Sequence, residues 1–153
     1  MTPKARTDPY GIGPFSMDKL TERDRLLLLE QVKNPDTIRV LESLPSNGSS
    51  RCLEIGAGMG SIAYWLAARY PQGHVVAVDI DTRNLDPQRS SNLNIQKADI
   101  TTCEFAPSSF DLFMLARYCV IFPLVKRCSL APTGGWLVVE DVYTLPVGTP
   151  RQT

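Results

Sequence analysis

Three glycines at alternate positions, Gly56, Gly58 and Gly60, follow directly on an apolar run that carries one acid, Arg51-Cys52-Leu53-Glu54-Ile55. Behind them comes Ser61-Ile62-Ala63-Tyr64-Trp65-Leu66-Ala67-Ala68-Arg69, with its apolar residues at helical spacing. A strand, a glycine turn and a helix in succession make the first half of a βαβ unit. Glycines in such a turn let the backbone bend sharply, and let a ligand lie against main-chain N–H groups with no Cβ in the way. Glu54 is costly to bury at the end of that strand and requires a polar or cationic partner. A second acid, Asp79, ends the run His74-Val75-Val76-Ala77-Val78. It stands about twenty residues beyond the glycines, where a βαβ fold places the carboxylate that accepts from ribose hydroxyls. A carboxylate suits a vicinal diol because it offers two acceptor oxygens and no competing donor. Asp81 is a neighbouring substitute for that role, or an exposed loop acid.

The elements that must hold these residues are bounded by size and composition. A chain of 153 residues makes one domain with a single core. Its 43% hydrophobic and 21% charged residues describe an ordinary globular chain. Sixteen basic and sixteen acidic side chains cancel, so no global field recruits nucleic acid or an anionic membrane. Met1 to Arg6 has no apolar core behind it and is no secretory signal, and no apolar run approaches membrane-spanning length. Cys52, Cys103, Cys119 and Cys128 are scattered, with no histidine near them. They read as reduced thiols of a cytoplasmic protein without a metal site.

Taken in order, residues 1–17 hold three prolines and two glycines and form an arm in which Tyr10 is the residue of interest. A domain follows over residues 18–143. Its first part, 18–45, predicts two helices: one from Asp18 with Thr21 and Asp24 as a capping pair, broken at Asn34-Pro35, and a second capped by Asp36. The continuous β-branched run before Asp79 is a strand buried on both faces of a parallel sheet. His74 begins that strand, far from its ligand end, as a structural or exposed residue. Residues 81–91 are turn-like and contain Pro87, so at best a short helix forms there. Leu93 to Ile100 reads as a third strand with its turn, and Ser108 to Ala116 as a fourth. Arg117 to Leu130 is short for a crossover helix and is interrupted by Pro123. Leu130 to Asp141 is a turn and a fifth strand, and residues 144–153 form a tail without a strand pattern. Trp136 to Glu140 is then an apolar sheet edge, to be covered by a homo- or hetero-oligomeric partner, a helix or the tail.

The segment Glu54-Ile55-Gly56-Ala57-Gly58-Met59-Gly60 resembles the first motif of class I S-adenosylmethionine (SAM)-dependent methyltransferases. A nicotinamide fold has its third glycine one position later, where this chain has Ser61. Residues 34–45, the second strand, Ala98-Asp99-Ile100, Phe110-Asp111-Leu112 and Pro132-Thr133-Gly134-Gly135-Trp136-Leu137-Val138-Val139-Glu140 are similar to further segments of the same family, in the same order. The resemblance implies an α/β, Rossmann-like three-layer fold. Its mainly parallel sheet has about five strands in the order 3-2-1-4-5 and lacks the family's usual final two, as in a C-terminally truncated product or a subunit completed by another chain.

It also implies SAM as cofactor and assigns it residues. Glu54 takes the methionine ammonium, Gly56, Gly58 and Gly60 cradle the ligand, Asp79 takes the ribose and Ile80 lies on the adenine face. Asp99 accepts from the adenine amino group, or serves only as a turn residue or helix cap; the N–H of Ile100 meets a ring nitrogen. Ala116 lies beneath the methionine moiety, with Arg117 and Tyr118 on the substrate side, and Tyr10 closes over the cofactor or stands exposed. Methyl transfer is an in-line displacement that needs no metal, and no catalytic residue is assigned. Three readings of function follow. The first is a methyltransferase acting on a small-molecule acceptor. The second is a SAM-binding regulatory or partner subunit without methyl transfer, which the short crossover favours. The third is a nicotinamide-dependent oxidoreductase, against which stand the glycine spacing, Asp99 and the last strand.

Overall fold

The apolar runs become five short strands. The computed structural model describes residues 20–45, 47–103, 105–106, 109–116 and 135–140. In chain order these form helix α1 (Leu20–Ser43), strand β1 (Arg51–Ile55), helix α2 (Ser61–Arg69), and strands β2 (His74–Asp79), β3 (Leu93–Lys97), β4 (Leu112–Ala116) and β5 (Trp136–Glu140). The arm, the β4–β5 crossover and the tail, with Tyr10, Arg117 and Tyr118, lie outside the described residues.

The strands form one sheet in the order β3-β2-β1-β4-β5, and every pairing is parallel. The fold is therefore α/β and Rossmann-like, with the expected strand order. The chain runs outward from β1 to β3, then returns to the other side of β1 to place β4 and β5. That reversal puts a topological switch point between β1 and β4, and open α/β sheets bind ligands at the carboxyl ends of the strands there.

Side chains alternate between the two faces of a strand. On one face Cys52, Val75, Ala77, Leu112 and Met114 pack against Ile62, Ala63, Leu66 and Ala67 of α2 and Leu41 of α1. On the other, Leu53, Val76, Val78, Phe113 and Leu115 form a second cluster with Phe110. Phe110 meets Phe105 and Phe113 edge-on, each with ring centroids 5.6 Å apart. β1 and β2 are buried on both sides, which is why their sequences are nearly continuous apolar runs.

The N-terminal region departs from its prediction. It is one helix of 24 residues with Pro35 inside it, not two helices broken at Asn34-Pro35. Thr21 and Asp36 both lie within the helix, and Asp36 pairs with Arg39 at 2.8 Å instead of capping. A proline in a helix interior costs about 3 kcal/mol. Tertiary contacts offset it: Asn34, Thr37, Ile38, Leu41 and Leu44 recur at helical spacing on the face turned to the protein. Asn34 Nδ2 also donates to Ser61 Oγ at 2.6 Å, fastening α1 to the start of α2.

The β2–β3 connection contains no helix, in line with the sequence. Its residues are held individually. Leu85 is buried against the core, Tyr64 Oη accepts the Asp86 N–H at 2.8 Å, and Arg89 stacks over the Tyr64 ring at 4.3 Å. Asn92 Nδ2 donates to the carbonyls of Ala67 and Tyr70 at 3.1 and 2.9 Å, satisfying the C-terminal end of α2.

Candidate functional site

The glycine loop leaves β1 at the switch point and enters α2 through Gly60. Gly56, Gly58 and Gly60 all have positive φ, at 78°, 56° and 84°, so each glycine is required by the backbone path. The loop spends its own donors. Gly56 and Ala57 donate N–H to the Val78 carbonyl at 2.8 and 3.3 Å, and Gly60 donates to the Ala57 carbonyl at 2.8 Å. Gly58 donates to Asp79 Oδ2 at 2.7 Å. The glycine pattern alone offers these N–H groups to a ligand; four of them are bonded within the fold instead. What the glycines provide is shape and the absence of side chains.

Asp79 stands at the end of β2, beside the loop, half-buried. Its Oδ2 holds Gly58 and its Oδ1 accepts the Asp81 N–H at 3.0 Å. A carboxylate has about four acceptor positions, so two bonds leave capacity for a diol. Asp81, the substitute considered for Asp79, is gripped by Arg83 at 2.6 Å, which holds its carboxyl below the usual range. Ile80 is 39% exposed beside Asp79 and offers an apolar surface at the sheet's edge.

Glu54 is only 2% exposed. Because Cys52 faces the helices and Leu53 the opposite cluster, Glu54 points to the helix side, near the end of β1. Asp99 is exposed just past β3, where its Oδ1 accepts from the N–H and Oγ1 of Thr101 at 2.9 and 2.6 Å. Ile100 turns its side chain into the second cluster, leaving its backbone for any ligand contact. Ala116 ends β4, paired with Glu140 of β5. Gly56, Gly58, Gly60, Asp79 and Ile80 are thus adjacent; Glu54 and Ala116 lie on the neighbouring strand ends, and Asp99 and Ile100 at the far end of the row.

One further acid, Glu140, stands beside these strand ends. Glu140 was visible only as the last letter of a strand, yet its Oε2 accepts from Thr37 Oγ1 of α1 at 3.1 Å and its Oε1 is buried. A signal existed: an acid closing an apolar strand, as Asp79 closes β2 and Glu54 nearly closes β1.

A concavity of about 480 Å³ lies at the opposite end of the sheet, lined by Leu44, Ser50, Tyr70, Asp111, Leu112 and Trp136. It sits at the amino ends of β1, β4 and β5, away from the switch point. Its acid, Asp111, is already bound to the Arg51 guanidinium at 3.2 Å and to the Arg51 N–H at 2.8 Å. Among the described residues no group of His, Cys, Asp and Glu is arranged to hold a metal, and no helix is long and apolar enough to cross a membrane.

Known proteins share this sequence and fold in part. A family model described as a methyltransferase domain matches residues 52–128, from β1 through the crossover after β4. Methyltransferase str3 of Strobilurus tenacellus is 34% identical over 100 residues, which are 60% of this chain and 35% of that protein. The chain thus spans about a third of the length of this curated relative. Among solved structures, a SAM-dependent methyltransferase from Aquifex aeolicus superposes with a TM-score of 0.62 at 13% identity, covering 84% of this chain and 77% of its own. Phosphoethanolamine N-methyltransferase 2 of Haemonchus contortus, solved with SAM, gives 0.60 at 21% identity, with 80% and 33% covered. At those identities the structural likeness concerns the fold. With the family model spanning half of the sequence, the chain belongs to the methyltransferase-domain family of class I SAM-dependent methyltransferases.

Proposed function

We propose that this chain binds SAM at the carboxyl ends of β1 and β2 and serves methyl transfer to a small-molecule acceptor. The observation that carries the reading is the charge and donor balance at the glycine loop. Gly56, Ala57, Gly58 and Gly60 all spend their N–H groups within the protein, and the carboxylates of Glu54 and Asp79 flank them. A pyrophosphate needs free donors or cations there and would meet carboxylates. A sulfonium and an ammonium group with a ribose diol fit acids and spare acceptor positions. The residues present therefore fit SAM and not a dinucleotide.

In this reading Asp79 receives the ribose hydroxyls while still fixing Gly58. Ile80 supports the adenine, Asp99 and the Ile100 backbone meet its edge, and Glu54 faces the ammonium. Gly56, Gly58 and Gly60 keep the approach open, and Ala116 floors the methionine end. The bound cofactor supplies an activated methyl group. The protein's part is alignment of the two reactants and exclusion of water, which together account for much of the acceleration available to such a displacement. The relative str3, a methyltransferase, supports methyl transfer, and the Haemonchus neighbour, a phosphoethanolamine N-methyltransferase, is a case of this fold serving a small acceptor.

Calorimetric titration with S-adenosylhomocysteine tests the cofactor site, with NAD as control and Asp79→Ala as the variant. Saturable binding of the homocysteine product, lost in the variant and not matched by NAD, is expected. A folded chain that binds NAD, or binds neither, overturns the reading.

A further inference from the structure

We propose that Glu140 is the acceptor-side carboxylate of this site, its buried Oε1 receiving an N–H from a cationic amine on the molecule to be methylated. The inference rests on the SAM reading above for which side of β4 the cofactor occupies.

The starting observation is an imbalance. Glu140 has one hydrogen bond, from Thr37 Oγ1 to Oε2 at 3.1 Å, while Oε1 is buried with no partner. Thr37 is itself 6% exposed. A buried carboxylate oxygen without a donor carries an uncompensated desolvation penalty, and native proteins rarely keep one without a use for it. Among the described residues no lysine or arginine forms an ion pair with Glu140. A strap between α1 and β5 would need only the oxygen that Thr37 already binds. The second oxygen is left over.

Register gives the position. Ile55 pairs with Leu115 and Leu115 with Val139, so Gly56, Ala116 and Glu140 lie at one level across three strand ends. Strands are about 5 Å apart, so Glu140 is about 10 Å from the glycine loop, with Ala116 between them. Val138 packs in the helix-side cluster, and the alternation puts Glu140 on that same face, shared with Glu54. α1 spans the gap: Asn34 binds Ser61 at the start of α2, and Thr37, one turn on, binds Glu140. The end of β4 is thus flanked by the glycine loop on one side and by the half-buried Glu140 carboxylate on the other, under a common helix. With the cofactor on the loop side, Glu140 faces what comes from the other.

The chemistry selects the class. Oε1 offers acceptor capacity only, and among the described residues no cation pairs with it. An ammonium N–H gives Oε1 a charge-assisted hydrogen bond, which is stronger than the one a neutral hydroxyl would donate. The amine need not be the methylated atom; holding it orients the acceptor against Ala116.

The full chain, saturated with S-adenosylhomocysteine, is titrated with benzylamine and with benzyl alcohol, which has the same shape without the charge. Glu140→Gln keeps an oxygen for Thr37 and the side-chain length but removes the charge; Glu140→Met replaces it if the amide variant does not fold. The wild type is expected to bind the amine at least about tenfold more tightly than the alcohol. Either variant should lose that preference while its affinity for S-adenosylhomocysteine stays within about twofold. Equal binding of amine and alcohol, no amine binding, or a variant that weakens S-adenosylhomocysteine overturns the proposal. Failure of every protein to bind S-adenosylhomocysteine refutes the cofactor reading instead, and the same amine titration without it still decides the role of Glu140.

Discussion

Gly60→Ala should unfold this domain at a markedly lower temperature, and Gly58→Ala should not. Both glycines have positive φ, where an L-residue costs about 1–2 kcal/mol. They differ in what a methyl group would meet. At Gly60 it would stand 2.6 Å from Leu85 Cδ2 and 2.8 and 2.9 Å from two atoms of the Tyr64 ring. Leu85 is buried and can shift a little. Tyr64 is held by the Asp86 N–H at its hydroxyl and by Arg89 over its face. Overpacking of this kind adds about 1–3 kcal/mol, for a total of about 2–5. A chain of this size loses about 2–4 °C of midpoint per kcal/mol, so Gly60→Ala should fall by about 6–12 °C for a mid-range cost of about 3 kcal/mol. At Gly58 the nearest atom is the Gly56 carbonyl oxygen at 4.0 Å, so only the backbone cost applies, about 1 kcal/mol and about 2–4 °C. Its methyl group would instead stand in the open approach to the loop and weaken S-adenosylhomocysteine binding. Circular dichroism melts with a reversibility check, followed by titration of both variants, read the two effects separately. A Gly60→Ala midpoint within about 2 °C of wild type, or a Gly58→Ala midpoint below that of Gly60→Ala, would refute the reasoning.

Three other outcomes are expected. Pro35→Ala restores a helix hydrogen bond at an exposed position inside α1 and should stabilise the fold by about 1–3 kcal/mol in denaturant titrations; destabilisation would mean that the region is broken there after all. Arg51 holds the Asp111 carboxyl below its ordinary value, so the stability this pair contributes is full above the unfolded carboxyl's value near 3.9 and is lost as pH falls through the lower folded value. The two side chains are 49% and 40% exposed, which makes the pair a minor contributor at neutral pH. Asp111→Asn should therefore change the midpoint little at pH 7 and flatten its decline below about pH 4; identical acid limbs in a pH series of melts would contradict this. Burial pushes the Cys52 thiol up to about 12. Iodoacetamide at pH 8 should label it only after unfolding, as read by peptide mass spectrometry, and rapid native labelling would show that β1 opens.

Much of the fold was legible because it is written locally. β1 and β2 announce themselves as apolar runs, β2 with three valines, since both faces are buried, and the glycine spacing is dictated by positive φ at three alternate positions. The irregular β2–β3 connection was readable from Pro87 and the lack of periodicity. Pro35 was misleading for a physical reason: local propensity ends a helix there, whereas Asn34, Thr37 and Leu41 hold it together through contacts distant in sequence. The use of loop N–H groups by Val78 and Asp79 was hidden in the same way, because those acceptors belong to another strand. Glu140 escaped notice because its partner lies 103 residues away. The local turn made by Asp99 and Thr101 was among the alternatives that the sequence left open.

The central claim, that a nucleoside cofactor sits over the glycine loop at the carboxyl edge of the sheet, is tested most directly by amide NMR. The Gly58 and Asp81 N–H groups both donate to Asp79 and report on that carboxylate. Titration with S-adenosylhomocysteine should move these two resonances first, together with those of Gly56, Gly60 and Ile80, and NAD should move none of them. Shifts confined to Ser49, Ser50, Tyr70, Leu112 and Trp136, around the cleft at the other end of the sheet, would contradict the account.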